Sequence, residues 1–513
     1  MSFQIVFKQI KSLLNPKGKK MSSWNFTVFL LRLAIVANVV TSKQDIVNNE
    51  VVERTRHGVL SAMKWAQGLK GIDKAADQHG SINKFGSSDE CVKLYEDTEP
   101  RLARLVSNET YYNHDDAITW LSAALASHRS CLDGLEEKGL VYKSEETRNL
   151  TLLLKGALFR YGQPRSNRRN KPRKGAQQRP ISSSEGKGLL ASWNAATSKA
   201  DIVVAQDGSG NYKTINEAVA ALSRMTRPER TIVYVKSGIY RENVEIGRGL
   251  ENLMFVGDGI DKTVVTGNKN VQDGASTLSS ATFGVSGDGF WARDMTFENS
   301  AGPHKHQAVA LSVSSDLSIF YRCSFKGYQD TLLVHSLRQF YRDCHIYGTI
   351  DFIFGDASAV FQNCDIFVKR PMDHQSNLIT AQGRDDSNEN TGIVILNSRV
   401  SPSSEFSAVK GSFKNYLGRP WKKYSRTVFI KTDLDGLIHP RGWKEWSGNF
   451  ALSTLYYGEY MNTGSGANTG NRVNWPGFHV LRDVNEASPF TVRNFIQGES
   501  WIPASGVPYW ADI

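Results

Sequence analysis

Between positions 320 and 364 one phrase returns three times: Phe320-Tyr-Arg-Cys323, Phe340-Tyr-Arg-Asp-Cys344 and Phe361-Gln-Asn-Cys364, with the cysteines at steps of 21 and 20 residues. The middle copy reads as carrying one extra residue. Self-similarity at a fixed period in this range marks a solenoid, in which each coil covers its neighbour and equivalent positions stack. The three cysteines are therefore expected nearly above one another.

The surrounding texture agrees. From Asp201 onward, short β-branched and aromatic runs such as Thr231-Ile-Val-Tyr-Val235, Thr263-Val-Val-Thr266 and Thr427-Val-Phe-Ile430 alternate with Gly, Asn, Asp and Ser turns. Many short strands at even spacing fit an all-β sandwich, barrel or solenoid. The period selects the solenoid.

Applied to polar residues, the same period gathers a group. Gln307 and Gln329 are 22 residues apart, and Asp330 and Asp351 are 21 apart, so two amides and two carboxylates should meet on adjacent coils of one face. Burying such groups unsatisfied is unfavourable, which makes a site the leading reading. Turn-capping aspartates and an internal amide ladder are the ordinary alternatives. Two close carboxylates cannot ionise equally, so one stays a protonated general acid while the other stays a carboxylate. Glycoside hydrolysis uses such a pair, and so can ester hydrolysis. The amides discriminate, because paired N–H donors suit an oxyanion developing on a carbonyl, which acyl transfer generates and glycosidic cleavage does not. Leu417-Gly-Arg419-Pro-Trp421 offers a guanidinium to hold one carboxylate ionised and an aromatic ring to stack on a sugar.

Upstream the pattern changes. From about Asp45 to Leu158 apolar residues recur at three- and four-residue steps, as in Ala117, Trp120, Leu121, Ala124 and Leu125, and Pro100 is the only proline. Several amphipathic helices with short loops pack as a small bundle. Before it, a basic N-terminus (Lys8, Lys11, Lys17, Lys19, Lys20) precedes an apolar run from Asn25 to Val40, interrupted by Arg32. Sixteen helical residues reach roughly 24 Å, short of a ~30 Å hydrocarbon core. A signal peptide is favoured over a spanning helix, with an uncleaved signal-anchor as the alternative.

The net charge of +11 raises nucleic-acid binding, but its distribution argues against it. From Asp201 to the end 31 Lys and Arg balance 32 Asp and Glu, so the excess is N-terminal. It peaks in a Gly-, Pro-, Gln- and Ser-rich stretch carrying Arg165, Arg168, Arg169, Lys171, Arg173, Lys174 and Arg179, which reads as a solvated linker. Interleaved aromatics are missing there. The near-neutral half from Asp201 onward predicts no strong electrostatic capture of a polyanion.

At these residues a specific resemblance appears. Gly238-Ile-Tyr-Arg-Glu242, Gln307-Ala-Val-Ala-Leu311, Tyr328-Gln-Asp-Thr-Leu332, Gly348-Thr-Ile-Asp-Phe-Ile-Phe-Gly355 and Leu417-Gly-Arg-Pro-Trp421 match, in order and spacing, the motif series of plant pectin methylesterases (pectinesterases). The resemblance implies a right-handed parallel β-helix, in agreement with the period, and hydrolysis of the methyl ester of homogalacturonan to methanol and pectate without a cofactor. It implies Asp351 as nucleophile, Asp330 as acid then base, Gln307 and Gln329 as oxyanion donors and Arg419 as the partner of Asp351. Arg419, Gln307, Thr277, Trp421 and Trp443 are implied to contact substrate. No metal is implied, and His304, His306, His335 and His345 are read as surface-loop residues. Backbone cleavage by a polygalacturonase or lyase on the same solenoid, and a catalytically idle or inhibitor-like wall protein, are the competing readings.

The helical region resembles the pectinesterase-inhibitor domain carried by many of these enzymes as a pro-region. Cys91 and Cys131 fall where that domain has its second disulfide, and no cysteine precedes Cys91 to form the other. For Cys323, Cys344 and Cys364, adjacent-coil pairing and unpaired buried thiols both remain open. The expected organisation is a signal peptide or signal-anchor over 1–44, an inhibitor-like pro-domain over 45–160, a basic linker open to a processing protease over 161–199 and a catalytic β-helix over 200–513. With sequons at Asn108 and Asn149, a secreted cell-wall (apoplastic) protein is expected, with membrane association through 25–40 as the alternative. The expected partners are pectin, that protease and pectinesterase inhibitor proteins.

Overall fold

A computed structural model of the chain describes residues 49–69, 87–107, 112–139, 144–162 and 188–513. The apolar run at 25–40, the sequon at Asn108 and the basic part of the linker over 163–187 lie outside the described residues. The chain divides into two compact units, Met1–Val51 and Val52–Ile513.

The solenoid is a parallel β-helix of three sheets with eleven, seven and eight strands. Each coil visits the sheets in turn, as in Ser318–Tyr321, Ser324–Lys326 and Leu332–Val334, and the next coil begins at Arg338. Side chains stack from coil to coil, because a parallel register puts equivalent residues in line. Phe320 lies on Tyr341 and Tyr341 on Phe361, with ring centroids 5.0 and 4.4 Å apart. The repeat is therefore anchored on Tyr341, not on Phe340, and the middle copy carries no extra residue. Phe340 points the other way, into an outer apolar layer where Phe490, Phe495 and Ile502 cover the eleven-stranded sheet. Strands buried on both faces explain the continuous apolar runs.

Cys323, Cys344 and Cys364 precede register-paired residues on consecutive coils, and all three are buried and free. The residue before each, Arg322, Asp343 and Asn363, is left-handed, with φ of 50, 52 and 57°. This corner bends the chain between sheets and explains why Asn and Asp recur there.

One end of the solenoid is capped by the amphipathic helix Ile215–Leu222, started by a Thr214/Glu217 capping box. Among the described residues, the long helices ahead of the solenoid are α1 over 49–68, α2 (Ser87–Val106), α3 (His114–Glu137) and α4 (Glu145–Gly162). Ala117, Trp120, Leu121, Ala124 and Leu125 all face inward, and the Cys91–Cys131 disulfide ties α2 to α3. An Asn113/Asp116 capping box starts α3, and Asp116 also meets Arg338 of the β-helix at 2.8 Å. Arg338 pairs in turn with Asp316, which accepts from Trp120 Nε1 at 3.2 Å. Arg101 pairs with Asp288 in the same manner. Buried ion pairs thus fix α2 and α3 on the β-helix, where removing either partner would strand a charge.

Candidate active site

The seven-stranded sheet positions the site. Asp330 and Asp351 stand just before the strands Leu332–Val334 and Ile353–Gly355, and Leu332 pairs with Ile353, so the two aspartates occupy one position on successive coils. Both are left-handed, with φ of 62 and 51°, a conformation Asp tolerates better than most residues and one that often marks functional sites. They are 7% and 5% exposed.

Arg419 follows the strand Asn415–Gly418, two coils further on. Gly418 is needed there, because a Cβ would meet Thr380 Oγ1 at 2.1 Å. From that position Arg419 donates to Asp351 through Nε, 3.0 Å from Oδ1, and through Nη2, 2.6 Å from Oδ2. Burial raises the Asp351 pKa, and Arg419 offsets part of that rise. Asp330 lacks that partner, and burial together with the Asp351 charge pushes its carboxyl well above the usual range. Of the two, Asp351 is thus held nearer to ionisation and Asp330 further toward protonation.

Gln307, Gln329, Thr277 and Trp421 line the same cleft of about 270 Å³. Gly383 lets Trp421 lie flat against the chain, since a Cβ would approach its ring at 2.9 Å. Trp443 does not reach the cleft. It is fully buried in the solenoid core, stacked on Tyr457 at 4.1 Å with its Nε1 bonded to Glu459. Trp446, 38% exposed, lines the cleft instead, with the Arg419 guanidinium 4.3 Å over its ring. The sequence signal was a second tryptophan three residues on.

His335 also departs from expectation. It is buried at the cleft wall rather than on a surface loop, its Nδ1 paired with Ser314 and its Nε2 2.8 Å from Ser130 of α3. Burial pushes its pKa down to about 4. Its spacing from Leu333, which lines the same cleft, is the strand period that could have revealed it. Among the described residues no group of His, Cys, Asp and Glu is arranged to hold a metal ion.

The cleft is roofed by α2 and α3. Glu90, Ser130, Asp133, Gly134 and Glu137 complete its lining. Glu137 accepts from Thr277 N and Oγ1 at 3.0 and 2.8 Å, Glu90 accepts from Ser276 Oγ at 2.6 Å, and Asp133 meets Lys422 at 2.8 Å.

A paired-carboxylate cleft with an arginine clamp, on a parallel β-helix, fits a hydrolase that acts on a polysaccharide or its esters. The Pectinesterase family model matches residues 201–499 and the Plant invertase/pectin methylesterase inhibitor model residues 41–157, and the chain belongs to the pectinesterase family. It is 57% identical to the probable pectinesterase/pectinesterase inhibitor 36 of Arabidopsis thaliana, over 94% of this chain and 97% of that one. It is 52% identical to pectinesterase 2 of Citrus sinensis, over 83% of this chain and 81% of that one. Among solved structures, pectin methylesterase from carrot is 53% identical with a TM-score of 0.61, covering 62% of this chain and all of that one. The Aspergillus niger enzyme is 31% identical with a TM-score of 0.51, covering 60% and 96%. The protein is a pectinesterase, a carboxylic ester hydrolase that demethylesterifies pectin.

Proposed function

We propose that the five residues Gln307, Gln329, Asp330, Asp351 and Arg419 carry this reaction on homogalacturonan. The single observation that bears the reading is the contrast between the aspartates: Arg419 clamps Asp351, and Asp330 is buried beside it without a cation of its own. Asp351 attacks the C6 carbonyl carbon of a methyl galacturonate, and the Gln307 and Gln329 amides hold the resulting oxyanion. As the tetrahedral carbon collapses, the C–OCH3 bond breaks and Asp330 gives its proton to departing methanol. Asp330, now a carboxylate, takes a proton from water, whose oxygen attacks the acyl-enzyme. Asp351 leaves as carboxylate, Asp330 is again protonated, and the released acid ionises to pectate. Trp421, Trp446 and Thr277 line the path of the sugar chain.

Methanol release from highly methylated pectin tests the roles. Asp351→Ala and Asp330→Ala are each expected to lower it on the order of 10³-fold or more without loss of folding. Full activity in folded Asp351→Ala would overturn the assignment, and new reducing or unsaturated ends without methanol would favour backbone cleavage.

The roof over the cleft supports a second part of the reading: with α2 and α3 in place the pectin chain has no open groove, so turnover follows their release. Cleavage in the basic linker, secretion to the cell wall and capture by separate inhibitor proteins complete the proposed life of the chain. A secreted product that retains Cys91 and Cys131 on the same polypeptide as Asp351 would rule out the cleavage.

A further inference from the structure

Inside the cleft α3 meets the β-helix through hydrogen-bonding groups as well as through an ion pair. Away from the cleft, the bundle is held by the buried arginine–aspartate pairs Arg101–Asp288 and Arg338–Asp116. Within the cleft α3 offers one hydroxyl and two carboxylates, from Ser130, Asp133 and Glu137, spaced three and four residues apart along one helix face. Each meets a group that suits it. The Asp133 carboxylate lies against the Lys422 ammonium, with both oxygens within 2.9 Å of Nζ. The Glu137 carboxylate takes the backbone N–H and the hydroxyl of Thr277 with its two oxygens. The Ser130 hydroxyl reaches His335 Nε2.

Carboxylates with hydroxyls close by are what a de-esterified stretch of polygalacturonate presents. We propose that this face of α3 occupies the cleft as a stand-in for unesterified polygalacturonate, and that Lys422, Thr277 and His335 are the seats for free carboxylates and hydroxyls of sugar residues flanking the ester under attack. The inference rests on the reading of the cleft as a pectin site. Lys422 and His335 then become determinants of which esters the enzyme selects. The mechanism above gives them no chemical step, yet His335 lines the cleft and Lys422 lies over the ring of Trp421, which lines it too. Because the catalytic half is close to neutral overall, recognition of free acid has to come from such local donors rather than from a general field.

The test uses the full chain carrying Asp351→Asn, so that esterified oligomers are not consumed, and follows amide hydrogen exchange in the second half of α3. A ligand that competes with α3 for its seats raises that exchange, by mass action. An unesterified oligogalacturonate is expected to do so at about tenfold lower concentration than its fully methyl-esterified counterpart, the scale of one charge-assisted hydrogen bond. Asp133→Asn combined with Glu137→Gln lowers the concentration needed about tenfold again. Lys422→Met removes most of the difference between the two oligomers. Equal responses to both oligomers, no response to either, or a difference that survives Lys422→Met would each overturn the proposal. Methanol release by the chain with Asp351 intact, measured after cleavage in the linker over 161–199 has freed the cleft of α2 and α3, is scored separately: its absence beside a discriminating exchange response would count against the esterase reading and leave the seats standing.

Discussion

Arg419 grips Asp351 side-on through two guanidinium nitrogens, while its own face rests on Trp446. The clamp and the ring therefore form one unit: Trp446 limits how the guanidinium can turn, and the guanidinium sets the state of the carboxylate.

Removing that cation leaves burial opposed only by the weaker pull of Lys444, so the Asp351 pKa rises further. Since attack needs the carboxylate, Arg419→Met should move the acid limb of the kcat/KM profile to higher pH by about one unit or more. A pH–rate profile with an unmoved acid limb would show that Arg419 does not control Asp351.

The two tryptophans should separate cleanly. Trp443→Ala opens a cavity in the solenoid core and is expected to cost about 3–5 kcal/mol in denaturant unfolding. Trp446→Ala should leave unfolding nearly unchanged while lowering kcat/KM for pectin.

Glu90 reaches from α2 to Ser276, and desolvation pushes its carboxyl up to about 7, with the Glu137 charge adding to the rise and the Ser276 hydrogen bond, Lys138 and Lys93 opposing it. A carboxyl whose pKa is higher in the docked state favours docking at low pH, and that advantage is lost as pH climbs from the ordinary carboxylate range through 7. The roof should therefore hold at least about tenfold more firmly at pH 5 than at pH 7.5, read as hydrogen exchange in α3. Glu90→Gln should flatten the difference.

Opening Cys91–Cys131 should weaken the bundle by about 2–5 kcal/mol and leave the β-helix untouched, because its three cysteines are free. Cys91→Ser with Cys131→Ser, followed by region-resolved hydrogen exchange, distinguishes the two parts.

Much of the solenoid was legible because parallel stacking repeats side chains at a near-constant interval, which is how Asp330 could be placed beside Asp351 before any coordinates. The register error at Phe340 has a local cause: aromatic residues stand at both 340 and 341, and only pairing with Phe320 and Phe361 tells which one faces inward. Trp443 was misplaced because a buried and an exposed tryptophan three residues apart look alike in one dimension. The seating of Ser130, Asp133 and Glu137 in the cleft left no local trace, since nothing near residue 130 in the chain encodes its contact with His335 more than two hundred residues on.

The corners also govern where this chain can change length. From Cys323 to Cys364 successive coils have almost no slack, whereas the next return, from Cys364 to the register-equivalent Ser398, is much longer, and its surplus lies in the segments flanking the strand Asn377–Gln382. Those segments form the rim that meets the bundle through Asp385 and Asn390. A residue deleted between Asp330 and Asp351 would slide one carboxylate past the other and turn the following strand inside out. One deleted from the rim would alter only what the groove admits and how its roof is fastened. Descendants of this sequence therefore have freedom to diverge in selectivity and control while the chemistry stays locked to the coil length.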